Sequence, residues 1–289
     1  MAHDSPRLGA HIGGGALGAP ASLASARTAQ HAPGHESLWR VWFTMELRRQ
    51  TAPTLLPSRL QMEVRHADLA TSPEPAGAVV VIDVLRSFTT AAYAFAAGAR
   101  AIYPVEKVEH ARALGAALPS ALTMGAAAGG WPIPGFDLTN SPAALRAHDL
   151  RGKELIHCTA GGVQAVSSWR GADFVFAASL VCARATAREI RRIAPSRLTL
   201  VITGKWTDRD GDEDFACADY IEALLEDETA DPAPFEARVR RSDFGRRFTG
   251  APSSAHPADD LECCAIADQF DFALQVVRRG DRLTLQPVG

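Results

Sequence analysis

The sequence predicts an α/β fold in which a mainly parallel sheet carries helices on both faces. From Ala76 onward, short runs of β-branched and other apolar residues alternate with stretches of helical length. The run A-V-V-V-I-D (78–83) is apolar through its first five positions, which is typical of a strand covered on both faces. Strands and helices that alternate this often are connected as in a parallel sheet.

The first half of the predicted domain contains three strands, at 62–67, 78–83 and 101–105, and two helices, at 88–98 and 108–118. Gly98 ends the first helix because glycine readily adopts the conformation that closes a helix. Residues 125–140 are too rich in glycine and proline for regular structure. A short helix then begins with Ser141 as its N-cap and Pro142 at its first position.

The second half continues the alternation, with strands at 154–158, 173–177 and 198–203 and helices at 163–168, 184–193 and 213–225. A helix around 261–269 and a hairpin that turns at Gly280-Asp281 complete the chain. In such a sheet, ligands bind outside the carboxyl ends of the strands. We therefore look for functional residues at those ends.

Composition excludes several classes of protein. The chain has 289 residues, 47% hydrophobic and 22% charged, as in globular proteins, and its net charge of −3 argues against a nucleic-acid or membrane-surface binder. No apolar run approaches the 18 residues of a membrane span. Five cysteines without a repeated C-x-x-C pattern indicate reduced thiols and a cytoplasmic protein. Residues 1–61 are rich in small residues, so we predict a disordered extension before a domain at 62–289.

Asp83 ends the first buried strand, and Arg86 and Thr89 follow within two turns. A carboxylate at this place can hold a metal, act as a base or act as a nucleophile, and an arginine can bind a phosphate or sulfonate with two hydrogen bonds. Capping of the next helix is the alternative role for Asp83. The haloacid-dehalogenase pattern is excluded because Leu85 stands where a second aspartate is required.

Two further loops carry candidate polar groups. G-F-D-L-T-N-S-P (135–142) places Asp137 and Asn140 before a helix N-terminus, where backbone N–H groups favour anions, although Asn-Ser-Pro can simply start a helix. D-R-D-G-D-E-D (208–214) carries five acids after another strand. An EF-hand loop needs glycine at its sixth position and glutamate at its twelfth, where this chain has Glu213 and Asp219, so an EF-hand is excluded. A divalent metal between Asp83 and Glu213 or Asp214 is expected, with a solvated helix-capping loop as the alternative.

The segment H-C-T-A-G-G-V-Q (157–164) places Cys158 before a glycine loop, as in cysteine-dependent phosphatases. Those enzymes need an arginine six positions after the cysteine, where this chain has Gln164. A cysteine nucleophile is therefore disfavoured. We expect Cys158 to pack at the strand end while Gly161 and Gly162 let backbone amides approach a ligand.

Taken in order, these segments resemble the 2-phosphosulfolactate phosphatase family. The similarity runs from about Met62 to the C-terminus, and its most specific motifs are I-D-V-L-R (82–86) and G-F-D-L-T-N-S-P. The resemblance implies a three-layer α/β/α fold. It also implies a Mg²⁺-dependent phosphatase that converts 2-phospho-3-sulfolactate to 3-sulfolactate, as in coenzyme M biosynthesis.

The resemblance assigns roles to the candidate residues. Asp83 would hold the metal with Glu213 and Asp214, or would itself be a nucleophile, and Arg86 would bind an oxyanion of a small anionic phosphoester. The residues expected to orient the rest of the substrate are Thr89, Asp137, Asn140, Ser141, Thr159, Gly161 and Gly162. Whether the chain forms homo-oligomers stays open.

The chain departs from the family pattern where cations are expected. Ala126-Ala127 replace a Glu-Arg pair and Gln164 replaces an arginine, which leaves Arg86 as the only cation that matches a motif. We therefore expect weak or absent turnover of 2-phosphosulfolactate and, if the protein is active, a preference for a less anionic phosphomonoester. Two alternatives follow: a binder that does not hydrolyse its ligand, and a cysteine-dependent phosphatase that uses Cys158.

Overall fold

The computed structural model describes residues 62–70, 76–169, 171–205, 209–251 and 253–289, and the predicted extension 1–61 lies outside them. The described strands are β1 (Glu63–Asp68), β2 (Ala78–Ile82), β3 (Ala101–Val105), β4 (Leu122–Gly125), β5 (Leu138–Thr139), β6 (Glu154–Cys158), β7 (Phe174–Ala178), β8 (Arg197–Ile202), β9 (Ala273–Arg279) and β10 (Arg282–Val288). The described helices are α1 (Ser87–Ala96), α2 (Val108–Ala117), α3 (Pro142–Leu145), α4 (Gly162–Ser168), α5 (Ala183–Ile193), α6 (Asp212–Glu226), α7 (Ala233–Arg241) and α8 (Ala258–Cys264).

All ten strands form one sheet in the order β1-β8-β2-β7-β9-β10-β3-β6-β4-β5. Six of the nine pairings between described strands are parallel, which confirms the predicted mainly parallel sheet. The β9–β10 hairpin lies between two parallel blocks of four strands. Its pairings with β7 and β3 and within itself are antiparallel, so the two blocks run in opposite directions.

Strand β2 shows how the layers are built, because its successive side chains point to opposite faces of the sheet. Val79 and Val81 pack in one core cluster with residues of α1 and α4. Val80 and Ile82 pack in another with residues of α5 and α6. Each buried aliphatic side chain contributes roughly 1.5–3 kcal/mol to folding. Helices on both faces of the sheet give the expected three-layer α/β/α arrangement.

The C-terminal helix departs from the sequence prediction. We expected it around 261–269, whereas α8 spans Ala258–Cys264. The chain turns at Asp268, whose φ of 54° lies in the left-handed region. The Asp268 carboxylate accepts hydrogen bonds from the backbone N–H and the Nε of Arg184, and these tertiary bonds replace the continuation of the helix.

Three other elements have no counterpart in the sequence prediction: β4, β5 and α7. Strands β4 and β5 lie in or beside the stretch that we expected to be a loop, and they depend on pairing with β6 and with each other. Helix α7 has nine residues, of which only Val239 is buried. Over the part of the chain that the structure describes, no helix combines the length and the apolar character that a membrane span requires.

Candidate active site

A cavity of about 260 Å³ lies where several strands end. Its lining includes residues that follow β2 and β8 of one parallel block and β4 and β6 of the other. Seven of the predicted site residues line it: Asp83, Arg86, Asn140, Thr159, Gly161, Glu213 and Asp214. The strand-end rule therefore located the cavity, although the two blocks run in opposite directions.

Asp83 lies between the N-termini of two helices. Its Oδ1 accepts a hydrogen bond from the backbone N–H of Ser87, and its Oδ2 accepts one from that of Gly162, each at 2.9 Å. A Cβ at Gly162 would stand 2.9 Å from Oδ2 and from the Phe88 ring, so only glycine allows this approach. Asp83 therefore contacts the N-terminus of the following helix, as in the capping alternative. Each of its oxygens still has lone-pair capacity for a further ligand.

Glu213, in the first turn of α6, is a buried carboxylate with one oxygen that accepts no hydrogen bond from the described part of the chain. Its Oε2 has no hydrogen-bond partner among the described residues. Burial raises its pKa to about 7, and the negative charge of Asp83 acts in the same direction, while Arg209 acts against it. Gly204 permits the position of this side chain, because a Cβ there would lie 2.6 Å from Oε1. A cation beside Oε2 would remove the cost of burying this charge.

Asp214 has a different environment from Glu213. Its Oδ1 accepts from the backbone N–H of Val84, and its Oδ2 accepts from the backbone N–H groups of Thr203 and Gly204 and from the Thr203 hydroxyl. Burial, together with the charges of Glu213 and Asp83, raises its pKa well above the usual value. Because both oxygens are engaged, Asp214 ties the ends of β2 and β8 together and aligns the start of α6.

Asp83 and Glu213 therefore offer a metal the most open oxygens, whereas Oδ2 of Asp214 already accepts three hydrogen bonds. Among the described residues, the one group of three whose ligand atoms lie within 4.8 Å of one another is elsewhere, at His66, Asp219 and Glu222. Those three side chains are partly or fully exposed, and Asp219 is already paired with Arg238. Asp83 and Glu213 are the better fit, because Mg²⁺ commonly binds one or two carboxylates and completes its shell with water or phosphate.

Arg86 is buried and held by Asp260, a residue that sequence reasoning missed. Nη1 of Arg86 donates to Oδ2 of Asp260 at 2.6 Å, and Nη2 donates to the carbonyls of Gly130 and Ala255. Asp260 Oδ1 also accepts from the Ser141 hydroxyl at 2.6 Å. Three of the five N–H groups of Arg86 are thus engaged, and the guanidinium is fixed at the cavity wall.

Asn140 and Thr159 line the cavity and are oriented by buried neighbours. Thr159 Oγ1 accepts a hydrogen bond from the Ser87 hydroxyl at 3.0 Å. Burial lowers the pKa of His157 to about 3, so this imidazole is neutral at physiological pH. Its Nε2 lies 3.1 Å from Oδ1 of Asn140 and donates to it. The amide group of Asn140 therefore remains a donor toward a ligand.

Four of the predicted substrate-binding residues do not line this cavity. Thr89 is fully buried, and its hydroxyl donates to the carbonyl of Val84. Asp137 is exposed and accepts from the backbone N–H and the hydroxyl of Thr123. Ser141 caps α3, as predicted, by accepting from the backbone N–H of Ala144. Gly162 acts through its bond to Asp83.

Cys158 is not placed to act as a nucleophile. The side chain is buried at the end of β6 and is not part of the cavity lining. Burial and the neighbouring charge of Glu109 raise its pKa to about 11, so the thiol is protonated at neutral pH. The structure thus fits the packing role expected for Cys158 and opposes the cysteine-dependent alternative.

Two arginines that the sequence did not indicate, Arg209 and Arg247, also line the cavity. Arg209 precedes α6 in the loop that we interpreted by its acids alone, and Arg247 lies in a short 3-10 turn after α7. Both guanidinium groups lie over the ring of Phe244, at 4.4 and 5.1 Å from its centroid. No motif brings these two segments together; only the tertiary fold does.

Comparisons with known proteins agree on one family. A protein-family model described as 2-phosphosulpholactate phosphatase matches residues 64–278. A Bacillus subtilis protein named "Probable 2-phosphosulfolactate phosphatase" is 30% identical over 215 residues, which cover 74% of this chain and 93% of that protein. Proteins of the same name from Carboxydothermus hydrogenoformans and Prochlorococcus marinus are 35% and 32% identical, over 72% and 74% of this chain and 90% and 94% of their own lengths.

Proposed function

The chain belongs to the 2-phosphosulpholactate phosphatase family and is a phosphoric monoester hydrolase, and from this premise we propose a Mg²⁺-dependent enzyme whose substrate is 2-phospho-3-sulfolactate or a close analogue. The products would be 3-sulfolactate and inorganic phosphate. Because all five cysteines are free and buried, a reducing compartment suits the protein, and we propose the cytoplasm.

The observation that supports the metal most strongly is the buried, unpartnered Oε2 of Glu213. Asp83, whose charge acts on Glu213, keeps capacity on both oxygens after accepting one N–H on each. Two buried carboxylates beside each other repel unless one of them is protonated or a cation lies between them. Asp83 and Glu213 would hold Mg²⁺, and Asp214 would position them. When bound, Mg²⁺ would neutralise charge on the phosphoryl group and make an attacking water more acidic.

The protein's own groups would bind and orient the phosphoryl oxygens. Arg86 is held in place by Asp260 and has N–H groups left for a ligand. The amide of Asn140, oriented by His157, supplies a neutral donor in the same cavity. Fixed donors of this kind stabilise the charge that develops on the oxygens of the transferred phosphoryl group, since the donors need no reorganisation during the reaction.

Release of inorganic phosphate from 2-phosphosulfolactate tests this proposal. We expect EDTA to abolish release, Mg²⁺ to restore it and iodoacetamide to leave it intact. Asp83→Asn should be inactive at any Mg²⁺ concentration, whereas Asp219→Asn, in the exposed cluster with His66 and Glu222, should match the wild type. Activity that resists EDTA would refute the metal, and ligand binding without any phosphate release would favour the non-catalytic alternative.

A further inference from the structure

The cavity is lined by carboxylates and by arginines, and we call the part that the arginines line its basic side. The carboxylates of Asp83 and Glu213 stand against the glycines at 162 and 204, at the ends of the strands. Three arginines, at 86, 209 and 247, line the same cavity. All three lie close enough to His256 to lower the pKa of its imidazole, with burial as the larger cause. The basic side is therefore a cluster around one histidine rather than scattered charges.

An aromatic group supports this basic side. The Phe244 ring carries the guanidinium groups of both Arg209 and Arg247, and the Phe248 ring carries that of Arg86, 5.4 Å from its centroid. Phe244 and Phe248 meet edge to face, with ring centroids 5.8 Å apart. Stacking of guanidinium groups on aromatic faces restricts their motion and fixes the direction of their N–H groups. Phe244 thus holds two cations side by side.

A phosphate group alone does not account for this arrangement. Arg86 and Asn140 already offer donors to phosphoryl oxygens, and Arg86 has its own counterion in Asp260. The cavity of about 260 Å³ is also larger than a single five-atom anion requires, since a water molecule takes up roughly 30 Å³ in the liquid. Two further cations at one wall fit a ligand with a second anionic group.

We propose that Arg209 and Arg247, stacked on Phe244, form a second anion subsite that binds the carboxylate or sulfonate of the substrate. This inference rests on the proposed function for the position of the phosphoryl group. Arg86 remains the only cation that matches a family motif, but on this proposal two arginines from other segments would take the place of the missing ones, and the expected preference for a less anionic ester would not hold.

Binding of two small anions tests the subsite without requiring turnover. Both anions are titrated into the Mg²⁺-loaded protein. 3-Sulfolactate carries a carboxylate and a sulfonate but no phosphate, so it probes the second subsite, whereas inorganic phosphate probes the phosphoryl site. By calorimetry, we expect Arg247→Gln and Arg209→Gln each to weaken 3-sulfolactate binding by about tenfold to a hundredfold, the usual effect of one charge-assisted hydrogen bond. Phosphate binding should weaken much less than 3-sulfolactate binding.

Arg246→Gln is the matched control. Arg246 is exposed next to Arg247, is paired with Asp243 and does not line the cavity, so its removal should leave both affinities unchanged. Kinetics supply a second readout: Arg247→Gln should raise KM for 2-phosphosulfolactate more than it raises KM for p-nitrophenyl phosphate. Folded variants of Arg209 and Arg247 that bind 3-sulfolactate as the wild type does, or that lose both anions equally, would overturn the subsite. If the wild-type protein has no phosphatase activity, that result would instead count against the proposed function.

Discussion

Replacing Asp260 with asparagine removes the buried negative charge that neutralises Arg86. Both side chains are almost fully buried, with exposed fractions of 0% and 5%. At a charge separation of about 4 Å and an effective dielectric constant near 20, their attraction is about 4 kcal/mol. The amide that replaces the carboxylate cannot compensate this charge. Breaking a buried pair from one side costs about 3–5 kcal/mol in the free energy of unfolding.

For a domain of this size, each kcal/mol lowers Tm by roughly 2–4 °C, so Asp260→Asn should lower it by roughly 6–20 °C. Calorimetry or circular dichroism would measure the change, with the exposed neighbour Asp259→Asn as the control. The double variant Arg86→Met, Asp260→Leu should be less destabilised than Asp260→Asn, because it leaves no buried charge unpaired. A loss below about 1 kcal/mol in Asp260→Asn would refute the claim that this ion pair fixes the cavity wall.

Three other outcomes follow from the site. Because burial raises the pKa of Glu213 from 4.5 to about 7, the metal-free protein should lose stability as the pH rises through that window. Mg²⁺ should reverse this loss and Glu213→Gln should reduce it, with Asp214, whose pKa is also raised, supplying the remainder, as thermal unfolding with EDTA or Mg²⁺ will show. Gly162→Ala should displace Asp83 and weaken Mg²⁺ binding at least tenfold in calorimetric titrations, whereas Gly115→Ala, where a Cβ meets nothing closer than 3.5 Å, should not. Cys158→Ser should keep phosphatase activity within about threefold, because its thiol is protonated and outside the cavity; a loss of a thousandfold would return it to the mechanism.

Residues close to a strand end or a helix start were accessible from the sequence. A buried apolar strand that ends in Asp83 and an acidic helix start at Glu213 are local patterns, and parallel connection brings such ends together. Local pattern also placed Ser141 as the cap of α3. The same reasoning cannot separate a ligand from a positioning residue. Only the four hydrogen bonds to Asp214 show that its oxygens are engaged.

Contacts between distant segments were not accessible. Asp260 reaches Arg86 across 174 positions of the chain, and its place in the acidic first turn of α8 does not indicate that partner. Arg209 and Arg247 meet only because the turn after α7 packs Phe244 against the loop before α6. The opposite direction of the two strand blocks follows from the β9–β10 hairpin, which pairs between strands that precede it by nearly a hundred residues or more. Such long-range pairings leave no local periodicity to read.

Anomalous scattering from a crystal grown with Mn²⁺, a substitute that also prefers oxygen ligands, tests the central claim most directly. The account predicts one strong peak within about 2.3 Å of carboxylate oxygens of both Asp83 and Glu213. The same peak should be absent in Glu213→Gln. A peak only at the exposed cluster of His66, Asp219 and Glu222, or no peak at Mn²⁺ concentrations that support phosphate release, would contradict the account.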